Sequence, residues 1–472
     1  MNKPFKLKLY SLFAALPLTL GSVVAAQDSA NESVQGPQKP AVENWSVHSQ
    51  TLQEPLPNPL TLQYLLNDFP LKSGANLLSE AQSRVALAQA QTLNSTNGFK
   101  LDLEGRLTRR EFTEEPQNHN LLALHFGKVL YDGDLNRIYQ ESLYALSDAA
   151  QIKQQAQLEN HKLQVMSAFF DALLADFQYR IDNEAMAVEY IAFDKSKDQH
   201  SLSRLSDVQL LEAENTYQKA LLKRSRSEQN LLKMRLYLAN IIGYADARPD
   251  KLAFPDLSSF DQRDPKSLAL TELQQQVEQH PLLRALKTQW DGQLKQVQAA
   301  HQLNRPKLRA DAWVGQLSSH PELREGRWRA DLSLAMPLYD SGLQQARVEE
   351  EKAKLISYQA QYEELAQALR QEVTDLYFQI QMLAAEEKSN NLFADYADLY
   401  LDYSRALYEN ESATDLGDSM VRLSQANYNQ VEWQFRKALL WAKLDYLLGK
   451  PLESFSTKAA KGSDTLSQAT QM

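Results

Sequence analysis

Cysteine is absent from all 472 residues. No disulfide can hold this chain, and no cysteine is present to carry a lipid anchor. The eight histidines are scattered, without the i,i+4 or cysteine-paired spacing of a metal site, so no metal is expected. Nucleophile-elbow, P-loop and dinucleotide fingerprints are missing too, which argues against an enzyme and against a cofactor. Positive charge is in deficit: 50 Lys and Arg against 60 Asp and Glu leave a net charge of −10. That balance disfavours nucleic acid as a partner. After the N-terminal stretch no apolar run approaches the roughly 20 residues that a membrane helix needs. The most telling absence is local. Residues 134–242 contain neither glycine nor proline.

Those two residues are the usual helix breakers, and this stretch is rich in Leu, Ala, Gln, Glu, Lys and Arg. Its one polar, turn-like interruption lies at Lys195–Asp207. The pattern predicts two antiparallel helices of about 65 and 37 residues, the first about 95 Å long. A helix of that length must lie as a column against other columns. Met166, Phe170, Leu173, Phe177, Ile181 and Val188 form a helical stripe, so Phe169-Phe170 and Tyr377-Phe378 read as packing aromatics. Tyr396, Tyr400 and Tyr403 read as interhelical packing as well.

The stretch occurs twice. Leu130-Tyr131-Asp132 returns as Leu338-Tyr339-Asp340, and Ala168-Phe169-Phe170-Asp171 as Leu376-Tyr377-Phe378-Gln379, both at an offset of 208. Ser206-Asp207-Val208 returns as Thr414-Asp415-Leu416 at the same offset, and Ile241-Ile242-Gly243 as Leu447-Leu448-Gly449, two positions short. A constant offset over this distance marks a duplicated unit.

In chain order, Lys3, Lys6 and Lys8 precede an apolar run from Leu9 to Val24 and a small-residue Val24-Ala25-Ala26 site. This is the layout of a signal peptide, 1–26. The alternative, a first membrane helix, is weakened by Pro17 and Gly21 within the run. Residues 27–59 read as an extended lead-in and 450–472 as a flexible tail. The first repeat, 60–243, holds a short helix (Asn76–Asn94), two strands, a long helix and a return helix. An inter-repeat segment, 244–280, has one short helix from Lys266, and the second repeat, 281–449, copies the first with its short helix at Pro281–Leu303. Asp132 and Asp340 stand where they can cap the two long helices. The short and return helices of each repeat together nearly match a long helix, so they could stack end to end beside it.

The strands carry a two-residue period. In Phe99–Arg109, Leu101 and Leu103 alternate with Asp102 and Glu104. In Arg327–Met336, Leu332 and Leu334 alternate with Arg329 and Asp331. Strands at Asn120–Tyr131 and Lys307–Gln316 complete the set. One apolar and one charged face, at this length, fit a membrane barrel with the leucines toward lipid and the charges toward a water-filled lumen. The strands of one chain are too few to close a barrel, and an open edge is forbidden in hydrocarbon, so closure needs several chains. A soluble pair of hairpins packed on the helices is the competing reading.

The order and duplication of VLYDGD (129–134), MPLYDSG (336–342), AFFDALLA (168–175), SDVQLLEAE (206–214) and TDLGDSMVRLSQA (414–426) resemble the TolC-like outer-membrane efflux proteins. The resemblance covers about residues 60–449. It implies a mainly α fold with a membrane β-barrel. Three chains would build a barrel of about twelve strands in the outer membrane of a Gram-negative bacterium, continued by a periplasmic α-barrel. It also implies an exit duct for efflux or type I secretion, joined through a periplasmic adaptor to an inner-membrane transporter. The segment between the repeats would lie at the equator. The resemblance places a pore constriction at Asp415 and Asp418, and the helical tips that meet the adaptor at Ser203, Arg204, Asp207, Tyr408 and Thr414. For Asp415 a helix-capping role stands beside the pore role, as for Asp207 in the first repeat. The family's tip glycines are absent, Ser201 and Glu411 standing near their places. A periplasmic coiled-coil scaffold without a barrel is the alternative of a different class.

Overall fold

A computed structural model describes residues 56–69, 73–96, 98–110, 117–244, 249, 251–318, 325–409 and 416–452. The N-terminal 55 residues, the tail from 453 and the second helical turn at 410–415 lie outside the described residues. Eight α-helices and one sheet are found among those described: α1 (Gly74–Thr96), β1 (Lys100–Arg110), β2 (Gln117–Tyr131), α2 (Leu135–Ser201), α3 (Asp207–Ile241), α4 (Ser258–Asp261), α5 (Leu270–Gln276), α6 (Pro281–Ala300), β3 (Lys307–Ser318), β4 (Glu325–Ala335), α7 (Leu343–Glu409) and α8 (Gly417–Leu447). None of the helices is long and apolar enough to cross a membrane.

Helices α2 and α7 each run for 67 residues, about 100 Å at 1.5 Å per residue. The polar segment Lys195–Ser201 stays helical, with its side chains largely solvated, and the turn is confined to 202–206. Asp132 and Asp340 act at the same place in the two repeats. The Asp132 carboxylate accepts the Asn136 N–H at 3.0 Å, and Asp340 accepts those of Gly342 and Gln344, each at 3.0 Å. The formal N-cap of α2 is Asp134, in a left-handed conformation without a side-chain cap, so Asp132 serves the first turn from two residues earlier.

The helices form adjoining columns. Helix α2 packs against α1 and α3 on one side and against α6 and α8 on the other, and α7 packs against α6 and α8. Each short helix thus shares a column with a return helix. Their junction is where the repeats close: Gly243 and Gly449 have φ of 90° and 70°. Tyr244 N–H then reaches Ala239 C=O and Lys450 N–H reaches Asp445 C=O, the glycine-terminated helix end that satisfies orphan carbonyls. This is the physical content of the repeated Ile-Ile-Gly and Leu-Leu-Gly.

The core lies at the same height. Phe170 of α2 stacks on Phe435 of α8 with ring centroids 4.3 Å apart, and Phe169, Met166, Val373 and Ile380 are fully buried around them. Between the repeats the chain makes several short pieces rather than one helix. Helices α4 and α5 alternate with 3-10 turns at Pro265–Ser267 and Val277–Gln279, because Asp264 and Pro265 start a new turn there. Leu60 pairs with this segment through a parallel bridge to Leu252.

Candidate channel wall and helical tips

The sheet has the order β1-β2-β3-β4, antiparallel throughout, with β1 and β4 at open edges. Its register sorts the side chains onto two faces. Leu103, Leu124, Val314 and Trp328 are cross-strand neighbours on one face, as are Leu101, Phe126, Ala312 and Ala330. Leu332 and Leu334 share that face and are 68% and 70% exposed in the single chain.

The opposite face is polar. Asp102, His125, Trp313 and Arg329 form a row crossing all four strands. His125 stacks on Trp313 at 4.6 Å between centroids, and the Arg329 guanidinium lies 5.0 Å from the Trp313 ring. His125 Nε2 is 2.9 Å from Asp311 Oδ1, and its Nδ1 is 3.7 Å from Asp102. Trp313 Nε1 donates to Glu104 at 3.0 Å, Arg309 Nε to Asp311 at 2.9 Å, and Arg329 Nε to Asp331 at 3.0 Å. Part-buried ring N–H groups and carboxylates thus find partners within the sheet itself. Gly127 makes room for this cluster: a Cβ there would stand 3.1 Å from both Arg309 and Asp311. Sequence reasoning finds Asp102, Glu104, Arg329 and Asp331, and the alternation of β3 also puts Asp311 on the charged face, but it misses His125 and Trp313. The cross-strand pairing of distant segments is what brings these together.

At the far end of the helices, the α2–α3 turn is closed by side chains the sequence singles out. Ser203 takes the left-handed position at φ 57°, where glycine is usual, while Ser203 N–H reaches His200 C=O and Arg204 N–H reaches Gln199 C=O. Ser206 and Gln209 form a reciprocal capping box at the start of α3. Asp207 is not that cap; its carboxylate meets His200 Nε2 at 2.7 Å across the turn. Arg204 is exposed.

The second tip is seen from one side. Thr414 and Asp415 lie outside the described residues, and Tyr408 is half-exposed near the end of α7. Helix α8 has Leu416 at its N-cap, without a side-chain capping bond. Asp418, in its first turn, accepts Arg422 Nε at 2.9 Å and faces the Tyr400 hydroxyl of α7 at 3.4 Å, with Arg422 lying over the Tyr400 ring. The i,i+4 spacing of Asp418 and Arg422 is the sequence signal for this pair.

Three of the packing aromatics are left uncovered by the single chain. Phe378 does not pack inside the chain: it is 58% exposed on the outer face of α7, together with Tyr396 and Tyr403.

Among the described residues no cluster of His, Asp or Glu could hold a metal ion. No protein-family model matches the sequence, and no curated protein does either. Solved structures do match. A crystal structure of CusC, described with conformational changes accompanying folding and transmembrane channel formation, superposes with a TM-score of 0.68 at 16% identity, over 82% of this chain and 92% of that one. The outer membrane protein VceC of Vibrio cholerae gives a TM-score of 0.66 at 16% identity, over 83% and 97%. The open-state MtrE outer membrane channel of Neisseria gonorrhoeae gives 0.61 at 17% identity, over 83% and 90%.

The fold is that of the TolC-like outer-membrane channels. The TolC-like fold extends over both repeats and the sheet, since more than four-fifths of the chain superposes at identities where sequence alone carries little.

Proposed function

We propose that this chain is the subunit of a homotrimeric outer-membrane channel, the exit duct of an efflux or type I secretion system. In this reading a periplasmic adaptor couples it to an inner-membrane transporter. The observation that carries the proposal is the sheet: one apolar and one charged face, with β1 and β4 both unpaired at its edges. Exposed apolar side chains over a whole face need lipid, and unpaired edge strands need partners of the same kind. A ring of chains, each joining its β4 to the β1 of the next, satisfies both. The shared fold of known outer-membrane channels points the same way.

The test is cell fractionation followed by native mass measurement in mild detergent. Trimers that resist brief heating, in the outer-membrane fraction, are expected. A soluble periplasmic pool, or a stable detergent-solubilised monomer, would reject the duct.

A further inference from the structure

The charged face of the sheet is not balanced. Its carboxylates are engaged within the sheet. Glu104 holds Arg106 at 3.0 Å and the Trp313 indole, and Asp311 holds Arg309 and His125. Asp331 holds Arg329, and Asp102 faces His125. Three cations of the same face, Lys100, Lys307 and Arg327, pair with no carboxylate among the described residues. Lys100 and Lys307 stand at the ends of β1 and β3 that adjoin the helices, and Arg327 stands on β4 toward the opposite end. The acidic surplus of the chain as a whole, −10, is therefore inverted on this face. At the helical tip, one candidate source of negative potential is softened as well, because Arg422 occupies the Asp418 carboxylate.

We propose that this face selects for anions: the barrel lumen favours small anions and cargo carrying carboxylate, phosphate or sulfate groups. The inference rests on the reading of the chain as a trimeric barrel with this face inward. Set against Asp102, whose partner is the imidazole of His125 and not a cation of the sheet, the three cations leave a surplus of two positive charges per chain on this face. Threefold repetition would place that surplus three times around one aqueous bore. Charges lining a low-dielectric wall focus their field into the lumen and raise the local concentration of counter-ions. The neutralised Asp–Arg pairs between them contribute little net potential.

Planar-bilayer recording of the purified trimer under a potassium chloride gradient tests this. Salt should be kept at about 0.1 M or below, where the Debye length is about 10 Å and the wall charges reach into the bore. The expected reversal potential takes the sign set by chloride. In a Lys100→Gln/Lys307→Gln/Arg327→Gln variant it should move toward, or past, that of potassium. The same comparison in an Asp415→Asn/Asp418→Asn background separates the barrel from the tip, because the shift caused by the three Gln substitutions should persist there. If the triple variant fails to assemble, Arg327→Gln alone is used, with Arg327→Lys restoring the original potential. Absence of any conductance would reject the channel reading itself. A conducting trimer that prefers potassium in both the original and the Asp415→Asn/Asp418→Asn backgrounds, or a triple variant with an unchanged reversal potential, would overturn the anion inference alone.

Discussion

His280 is buried at the N-cap of α6, where its Nδ1 accepts the Leu282 N–H at 3.2 Å and its ring stands edge-on to Tyr446. Its Nε2 has no partner in the structure. Burial disfavours the charged ring and lowers its pKa from the usual 6.5 to about 4. His161, also buried, is lowered by the same cause. Unfolding exposes both rings, which then take up protons near their ordinary value. Stability is therefore full above pH 6.5 and is lost as pH falls toward 4, because only the unfolded chain binds the extra proton in that window. For His280 alone the loss is at most about 3 kcal/mol. A His280→Asn variant keeps an acceptor at the cap without the titration. Its melting temperature, followed by helical circular dichroism, should be lower at neutral pH but should decline less steeply between pH 6.5 and 4. An equally steep decline in the variant would place the acid sensitivity elsewhere.

At the scale of the element, the strands are where sequence and structure speak most directly to each other. A strict two-residue period sorts Leu101 and Leu103 from Asp102 and Glu104, and the register places the two sets on opposite faces. Single cysteines introduced at Leu103 and Leu332, and at Asp102 and Asp331, should separate cleanly. With no native cysteine in the chain, a membrane-impermeant thiol reagent should label the second pair in assembled protein and spare the first. Equal labelling of all four sites would sink the assignment of faces. Leu332→Arg should cost about 2–4 kcal/mol if the site lies near the bilayer midplane, measured by denaturant titration in lipid. What the period cannot supply is the partner across the sheet. His125 and Trp313 are far apart in the chain, and only the register between β2 and β3 stacks them. The long helices were legible from what they lack, and the ends of the return helices from Gly243 and Gly449. The turn at Ser203 was less so, since a serine in a left-handed position carries no glycine signal. Phe378 is open for a related reason: an apolar residue on a helix can pack against its own chain or a neighbour, and one sequence does not distinguish them.

For the molecule as a whole, the exposed apolar residues point outward from the single chain. Helix α7 exposes Phe378, Met382, Leu392, Tyr396, Leu399 and Tyr403, while α3 exposes Val208, Leu211, Leu222, Leu232 and Leu236. Both sets fall on a register of alternating three- and four-residue steps, the spacing of a coiled-coil seam, with Ala385 and Ser389 at the intervening positions of α7 and Asn215, Gln218, Ser225 and Gln229 at those of α3. Neither seam has a partner helix among the described residues, because α7 turns its other side to α6 and α8, and α3 turns its other side to α2. The two seams lie in the outermost columns. A heterologous, ring-closing contact between α7 of one chain and α3 of the next would cover both at once. Burying a leucine is worth roughly 1.5–3 kcal/mol, so a charge in the seam should be felt in assembly and hardly in the folding of the chain's own core. We expect Leu392→Glu/Leu399→Glu to retain its helical circular dichroism but to run as a monomer, or as a trimer that dissociates on mild heating, in native mass measurement. Trimers as heat-resistant as those of the unmodified protein would show that the α7 seam lies outside the interface.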